Sequence, residues 1–209
     1  MYPPRRNAFI YAFFTWYINR IIGRDFKYFD YNPIEIDPKR AVLLLSNHFS
    51  WWDGFLLFQL NRFFLHKKFH ILVTEENYLS HGFLKYLGAF SVKKQSRSMI
   101  ETLEYAGKLL NDPANLVVIF PQGKLFSSHC DEVLFEKGLM NIINSSDRKF
   151  QYLFVALLVD YFQFKKPTAK AYLQTWEGAE FTSLQLIKSE YNKHYSQAKR
   201  SQNQEIVYV

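Results

Sequence analysis

Ala41-Val42-Leu43-Leu44-Leu45-Ser46-Asn47-His48-Phe49-Ser50-Trp51-Trp52-Asp53-Gly54-Phe55-Leu56-Leu57-Phe58 decides how this chain is read. Five aliphatic residues bounded by polar ones predict a strand over residues 41–46. Asn47 and Ser50 are residue types that cap helix starts, and the apolar run from Gly54 onward continues as a helix, predicted over residues 55–64. That order matters for His48 and Asp53. On one continuous helix, five steps of 100° leave the two side chains roughly 140° apart. With His48 at a strand end and Asp53 in the first turn of the next helix, the carboxylate can reach back to the ring. A histidine oriented by a carboxylate is a general base with its positioning partner.

The rest of the chain supplies a setting for that pair. At 209 residues it is long enough for one domain with a substantial core. Aromatic residues make up 19% of the chain, more than a single core requires, which points to an aromatic core or to surfaces that meet lipid. The net charge of +7 implies an anionic partner: nucleic acid, anionic membrane or a phosphate-bearing substrate. A nucleic-acid surface is disfavoured because the aromatics cluster in apolar runs instead of alternating with Lys and Arg along a strand. The single cysteine, Cys130, excludes an internal disulfide and Cys-based metal sites and fits a reducing compartment. The six histidines show no pair at metal-ligand spacing.

Residues 8–18 are apolar and aromatic, flanked by Arg5, Arg6, Arg20 and Arg24. The run breaks at Asn19-Arg20, short of the about 20 apolar residues that a membrane span needs. Bulky Tyr17, Ile18, Ile21 and Ile22 stand where a secretory signal would need small residues. The segment reads as an aromatic amphipathic helix in the interface of an anionic bilayer, with a core helix as the other reading. A monotopic or peripheral protein on the cytoplasmic face of a membrane is the expectation.

Further strands are predicted over residues 69–74, 87–92, 116–120, 152–159 and 170–174. Helices are predicted over 77–85, 98–110, 131–143 and 183–204, the last a polar surface helix with a thin apolar stripe and a loose tail. Alternating strands and helices make this a single-domain α/β fold with a mostly parallel sheet flanked by helices. The expected organisation is an interfacial helix over 1–24, a catalytic domain over 25–180 and the surface helix and tail over 181–209. In such folds ligands gather at the carboxyl ends of strands. Two more blocks follow predicted strands: Gly88-Ala89-Phe90-Ser91-Val92-Lys93-Lys94 with Arg97 nearby, and Phe120-Pro121-Gln122-Gly123-Lys124. Convergence of these with the His48 block on one edge is what a site requires.

Taken together, the His48 to Asp53 block, the Gly88 to Lys94 block, Phe120-Pro121-Gln122-Gly123 and Phe135-Glu136-Lys137-Gly138 resemble, in order and spacing, the lysophospholipid acyltransferases. This group includes the glycerol-phosphate and lysophosphatidic acid acyltransferases, and the resemblance covers residues 8–175. It implies a glycerol-3-phosphate acyltransferase-like fold. It also implies transfer of a fatty acyl group from coenzyme A or acyl carrier protein to a lipid hydroxyl or amine. His48 would be the base and Asp53 its partner. Asn47, Ser50, Gly88, Lys93, Lys94, Arg97, Pro121, Gln122, Gly123 and Lys124 would bind acceptor or donor. The acyl thioester is a co-substrate, and neither a bound cofactor nor a metal is implied.

Departures from the family pattern fall on the acceptor side. Lys94 stands where relatives carry arginine, and Gln122, Lys124 and Leu125 replace the last polar residues of Phe-Pro-Glu-Gly-Thr-Arg. Ala156 takes the place of a proline in the fourth block. A lysine offers a point charge without the bidentate fork of arginine. An acceptor lacking phosphate, such as a glycolipid, an aminoacyl lipid or a hydroxylated isoprenoid, therefore stands beside lysophosphatidic acid. A catalytically idle lipid-binding module is the alternative from another class, and the retained His48 and Asp53 argue against it.

Overall fold

The computed structural model describes residues 1–92, 97–178 and 182–204. The chain enters through helix α1 (Ala8–Asp25) and a short strand β1 (Phe29–Tyr31), then β2 (Val42–Ser46) and α2 (Asp53–Leu60). Next come β3 (Lys68–Thr74), α3 (Glu75–Ser80), β4 (Ala89–Val92), α4 (Arg97–Leu109) and β5 (Asn115–Ile119). The remainder is α5 (Gly138–Asn144), β6 (Gln151–Asp160), β7 (Thr168–Trp176) and α6 (Leu184–Asn203).

The strands form one sheet in the order β1-β7-β6-β2-β5-β3-β4. The block β6-β2-β5-β3-β4 is parallel throughout, while β7 runs antiparallel to β6 and β1 runs parallel to β7. All five residues of β2 are buried, as are all five of β5. Covered on both faces, a central parallel strand has no need of polar alternation, which explains the unbroken aliphatic run. Alternate β2 residues still separate the layers. Val42 and Leu44 join α1 and α2 in one core with Ile18, Ile22, Leu56 and Leu57. Leu43 and Leu45 join the other, with Leu103, Ile142, Tyr191 and Tyr195. The α/β architecture read from the sequence is the one observed.

The structure differs from the predicted elements in four places. The helix expected over 131–143 is only α5, because the preceding backbone bonds elsewhere: Asn192 holds both the N–H and the C=O of Val133, and Glu136 N–H reaches Pro121 O at 2.8 Å. Helix α2 ends early in a π-helical turn, Asn61–Leu65, whose exit is fixed by Asn61 bonding the N–H and C=O of Lys67. The helix expected over 77–85 is two pieces, α3 and a 3-10 turn at Leu84–Leu87. Strand β1 is too short to have left a periodic signal. Helix α6 also carries a wider buried face than its thin apolar stripe implied. Tyr191, His194, Tyr195, Ala198 and Gln202 all lie in it.

Candidate active site

His48 follows the end of β2 and Asp53 opens α2, so the turn between them folds the two side chains together. His48 Nδ1 lies 2.8 Å from Asp53 Oδ2. The same oxygen accepts the N–H groups of Phe49 (2.8 Å) and Ser50 (2.9 Å). Asp53 is fully buried, yet it stands in the first turn of α2, where the helix dipole favours negative charge. With Nδ1–H donated to the carboxylate, Nε2 is left as the acceptor of a proton. The ring itself stacks on Phe120 at 4.0 Å between centroids and 12° between planes.

The loop after β5 completes the cradle. Gln122 Oε1 accepts from His48 N–H at 2.7 Å, and Phe126 N–H donates to His48 C=O at 3.0 Å. Both backbone groups of His48 are thereby fixed from one loop. Pro121 is buried in that loop, and Gly123 makes its turn at a φ of +63°, where a side chain would also press on Glu136. Lys124 is exposed, its Nζ over the Phe126 ring.

A cavity of about 510 Å³ opens at His48 and is lined on its apolar side by Phe55, Phe58, Phe69, Ile71, Leu84 and Leu87. Gly123, Lys124 and Leu125 line it from the loop, and Thr74, Glu76, Asn77 and His81 from β3 and α3. The volume and apolar lining match a small-molecule site with few polar groups.

Not every sequence candidate meets here. Asn47 is 3% exposed, and its amide bonds both the C=O and the N–H of Leu157 at 2.8 Å, stitching β2 to β6. Ser50 Oγ accepts Trp52 N–H within the turn. Gly88 sits at the amino end of β4, away from the edge that carries His48. Its φ of +96° and the approach of Phe69 O leave no room for a Cβ, so glycine is needed there for packing. Lys93, Lys94 and the Arg97 side chain lie outside the described residues. Phe120, Phe126, Trp51 and the α3 side chains were not among the sequence candidates. Among the described residues, no group of three or more His, Cys, Asp or Glu could hold a metal ion.

The model of a family described as Acyltransferase matches residues 29–156, a span containing the His48 and Asp53 pair and the loop that cradles it. The chain belongs to this acyltransferase family. It is an enzyme of that class. The structure is also similar to the crystal structure of the 1-acyl-sn-glycerophosphate (LPA) acyltransferase, PlsC, from Thermotoga maritima. The TM-score is 0.64 at 17% identity, covering 95% of this chain and 81% of that one. No curated protein sequence matches this acyltransferase.

Proposed function

We propose that this acyltransferase moves a fatty acyl chain from an acyl thioester of coenzyme A or acyl carrier protein to a hydroxyl or amine of a lipid, working at a membrane surface. The observation that carries the reading is the apolar cavity opening directly at His48. A fatty chain lying in it would bring its carbonyl carbon to the base. His48 Nε2 takes the acceptor's proton as the oxygen or nitrogen attacks that carbon, and the tetrahedral intermediate expels thiolate, which recovers the proton from the imidazolium. Asp53 holds the tautomer and favours the transient cation. The T. maritima neighbour acts on 1-acyl-sn-glycerophosphate, and an acceptor of related shape, already bearing one chain, suits the same layout.

Membrane association is supported by α1. Ile18, Ile21 and Ile22 are buried against the domain, whereas Phe9 is 89% exposed and Phe13 and Trp16 are more than half exposed. No helix among the described residues is long and apolar enough to cross a membrane. An aromatic face beside Arg20 fits insertion to interfacial depth.

The test is release of free thiol from acyl-coenzyme A and from acyl carrier protein, with lysophosphatidic acid, a monoacyl glycolipid and a monoacyl aminoacyl lipid as acceptors, and products identified by lipid mass spectrometry. Acceptor-dependent thiol release with a diacyl product supports the proposal. Vesicle binding without thiol release from any pair would favour the idle lipid-binding module.

A further inference from the structure

One wall of the cavity is polar and comes from outside the four sequence blocks. Strands β2 and β3 are both parallel neighbours of β5, so Thr74, the last residue of β3, ends on the sheet edge that carries His48. Helix α3 starts there. Thr74 Oγ1 is used up in capping the N–H of Asn77. The carboxylate of Glu76 and the amide of Asn77 make no side-chain hydrogen bond or ion pair among the described residues, and both residues line the cavity. His81, which closes α3, lines it too, and its Nδ1 is buried without a partner.

Resting on the function proposed above, we infer that Glu76, Asn77 and His81 form the acceptor headgroup subsite and that it takes a phosphate-free head presenting hydroxyl or ammonium donors. A carboxylate only accepts hydrogen bonds, and so does an ionised phosphate, so the two repel. Hydroxyls and ammonium groups donate to it. Among the described residues, the loop opposite brings one cation, Lys124, to the cavity lining. Gln122 spends its oxygen on His48, Leu125 stands where a fork of charge would be needed, and Lys124 lies over Phe126.

The experiment compares the wild type, Glu76→Gln, Glu76→Ala, Glu76→Lys and His81→Ala in the full chain, measuring KM and kcat for the three acceptors above. Glu76 is exposed, so its variants leave the core intact. An ammonium head predicts a KM raised about 10- to 100-fold by Glu76→Gln, because a charged hydrogen bond becomes neutral. A hydroxylated head predicts that Glu76→Gln is tolerated, since glutamine still accepts, and that Glu76→Ala and His81→Ala raise KM. In both cases Glu76→Lys should lower the KM for lysophosphatidic acid. Lysophosphatidic acid as the best wild-type acceptor, or KM values indifferent to all four changes while transfer continues, would overturn the inference and leave acyl transfer standing. Loss of transfer to every acceptor by the wild type would overturn both.

Discussion

Gln122 Oε1 accepts a 2.7 Å hydrogen bond from the backbone N–H of His48, joining the loop after β5 to the loop after β2. An N–H can only donate, so the amide must present its oxygen, and a neutral glutamine does this without placing a carboxylate in a site where it is 4% exposed. Gln122, expected from the sequence to bind acceptor or donor, holds the backbone of His48.

Replacing Gln122 with Leu removes the acceptor and leaves a buried N–H unpaired, at a cost of about 1–3 kcal/mol. It also frees the turn that aims His48, and misplacement by about 1 Å can lower a rate roughly 100-fold. The expected outcome is a fall in kcat with little change in donor KM, while Gln122→Glu, which keeps the acceptor, loses less. Steady-state kinetics that show Gln122→Leu unaltered in kcat would separate this contact from catalysis.

His48→Ala should lower acyl transfer by about 100- to 10,000-fold, the usual contribution of a positioned base. Asp53→Asn should come close to it, because the amide no longer imposes the Nδ1–H tautomer and leaves the N–H groups of Phe49 and Ser50 with a weaker acceptor. Circular dichroism melts should stay cooperative in His48→Ala. Transfer persisting in that variant would refute the mechanism.

The His48 and Asp53 geometry was legible because it is local. Six residues, His48 to Asp53, between a strand end and a helix start contain every atom that makes it. The cradle was only half legible: Pro121, Gln122 and Gly123 could be singled out, but not what Gln122 bonds, since that depends on β2 and β5 lying side by side in register. The polar wall of α3 left no sequence signal, because Glu76, Asn77 and His81 look like any solvated helix until β3 places them beside the cavity. Helix α6 was under-read for a related reason. Tyr191 belongs to the apolar stripe, but Tyr195, His194 and Gln202 count as polar in a periodicity argument, yet all are buried, and Tyr191 sets its hydroxyl on Val155 O at 2.8 Å. Burial pushes that phenol well above its ordinary pKa, so it stays a neutral donor.

Asn47→Ala should act on stability first. Both ends of the Asn47 amide serve the backbone of Leu157, and losing them strands a buried N–H and a buried C=O, together about 2–5 kcal/mol. Chemical denaturation should show that loss, with activity recovering at low temperature where the fold is intact. A variant of full stability and raised acceptor KM would instead put Asn47 in contact with substrate.

Stability should fall on mild acidification. Burial lowers the pKa of His70 and of His194 below the ordinary 6.5, and His194 donates from Nε2 to Tyr172 O as a neutral ring. The unfolded chain binds protons at these residues first, so stability is level above about pH 7 and declines as pH falls through 6.5 toward the depressed folded-state values. Thermal melts across pH 8 to 5 should show the decline, and His194→Gln should flatten it. Melting temperatures unchanged between pH 7 and 5 would count against both assignments.

Helix α1 offers a separation of membrane binding from folding within 18 residues. Its exposed aromatics, Phe9, Phe13 and Trp16, contribute little to the core, so a triple change to Ser should move stability by no more than about 0.5 kcal/mol per site. The same change removes three rings from the face offered to lipid and should weaken binding to anionic vesicles by about tenfold or more. Ile18→Ala does the reverse, costing about 2–5 kcal/mol of stability from a side chain 1% exposed while leaving the outer face unchanged. Salt should weaken vesicle binding of the wild type only in part, because Arg20 and its neighbours are screened and the rings are not. Co-sedimentation with vesicles, run beside denaturation curves, checks both arms at once. Equal sedimentation of wild type and the triple Ser variant would show that the exposed face of α1 meets something other than a bilayer.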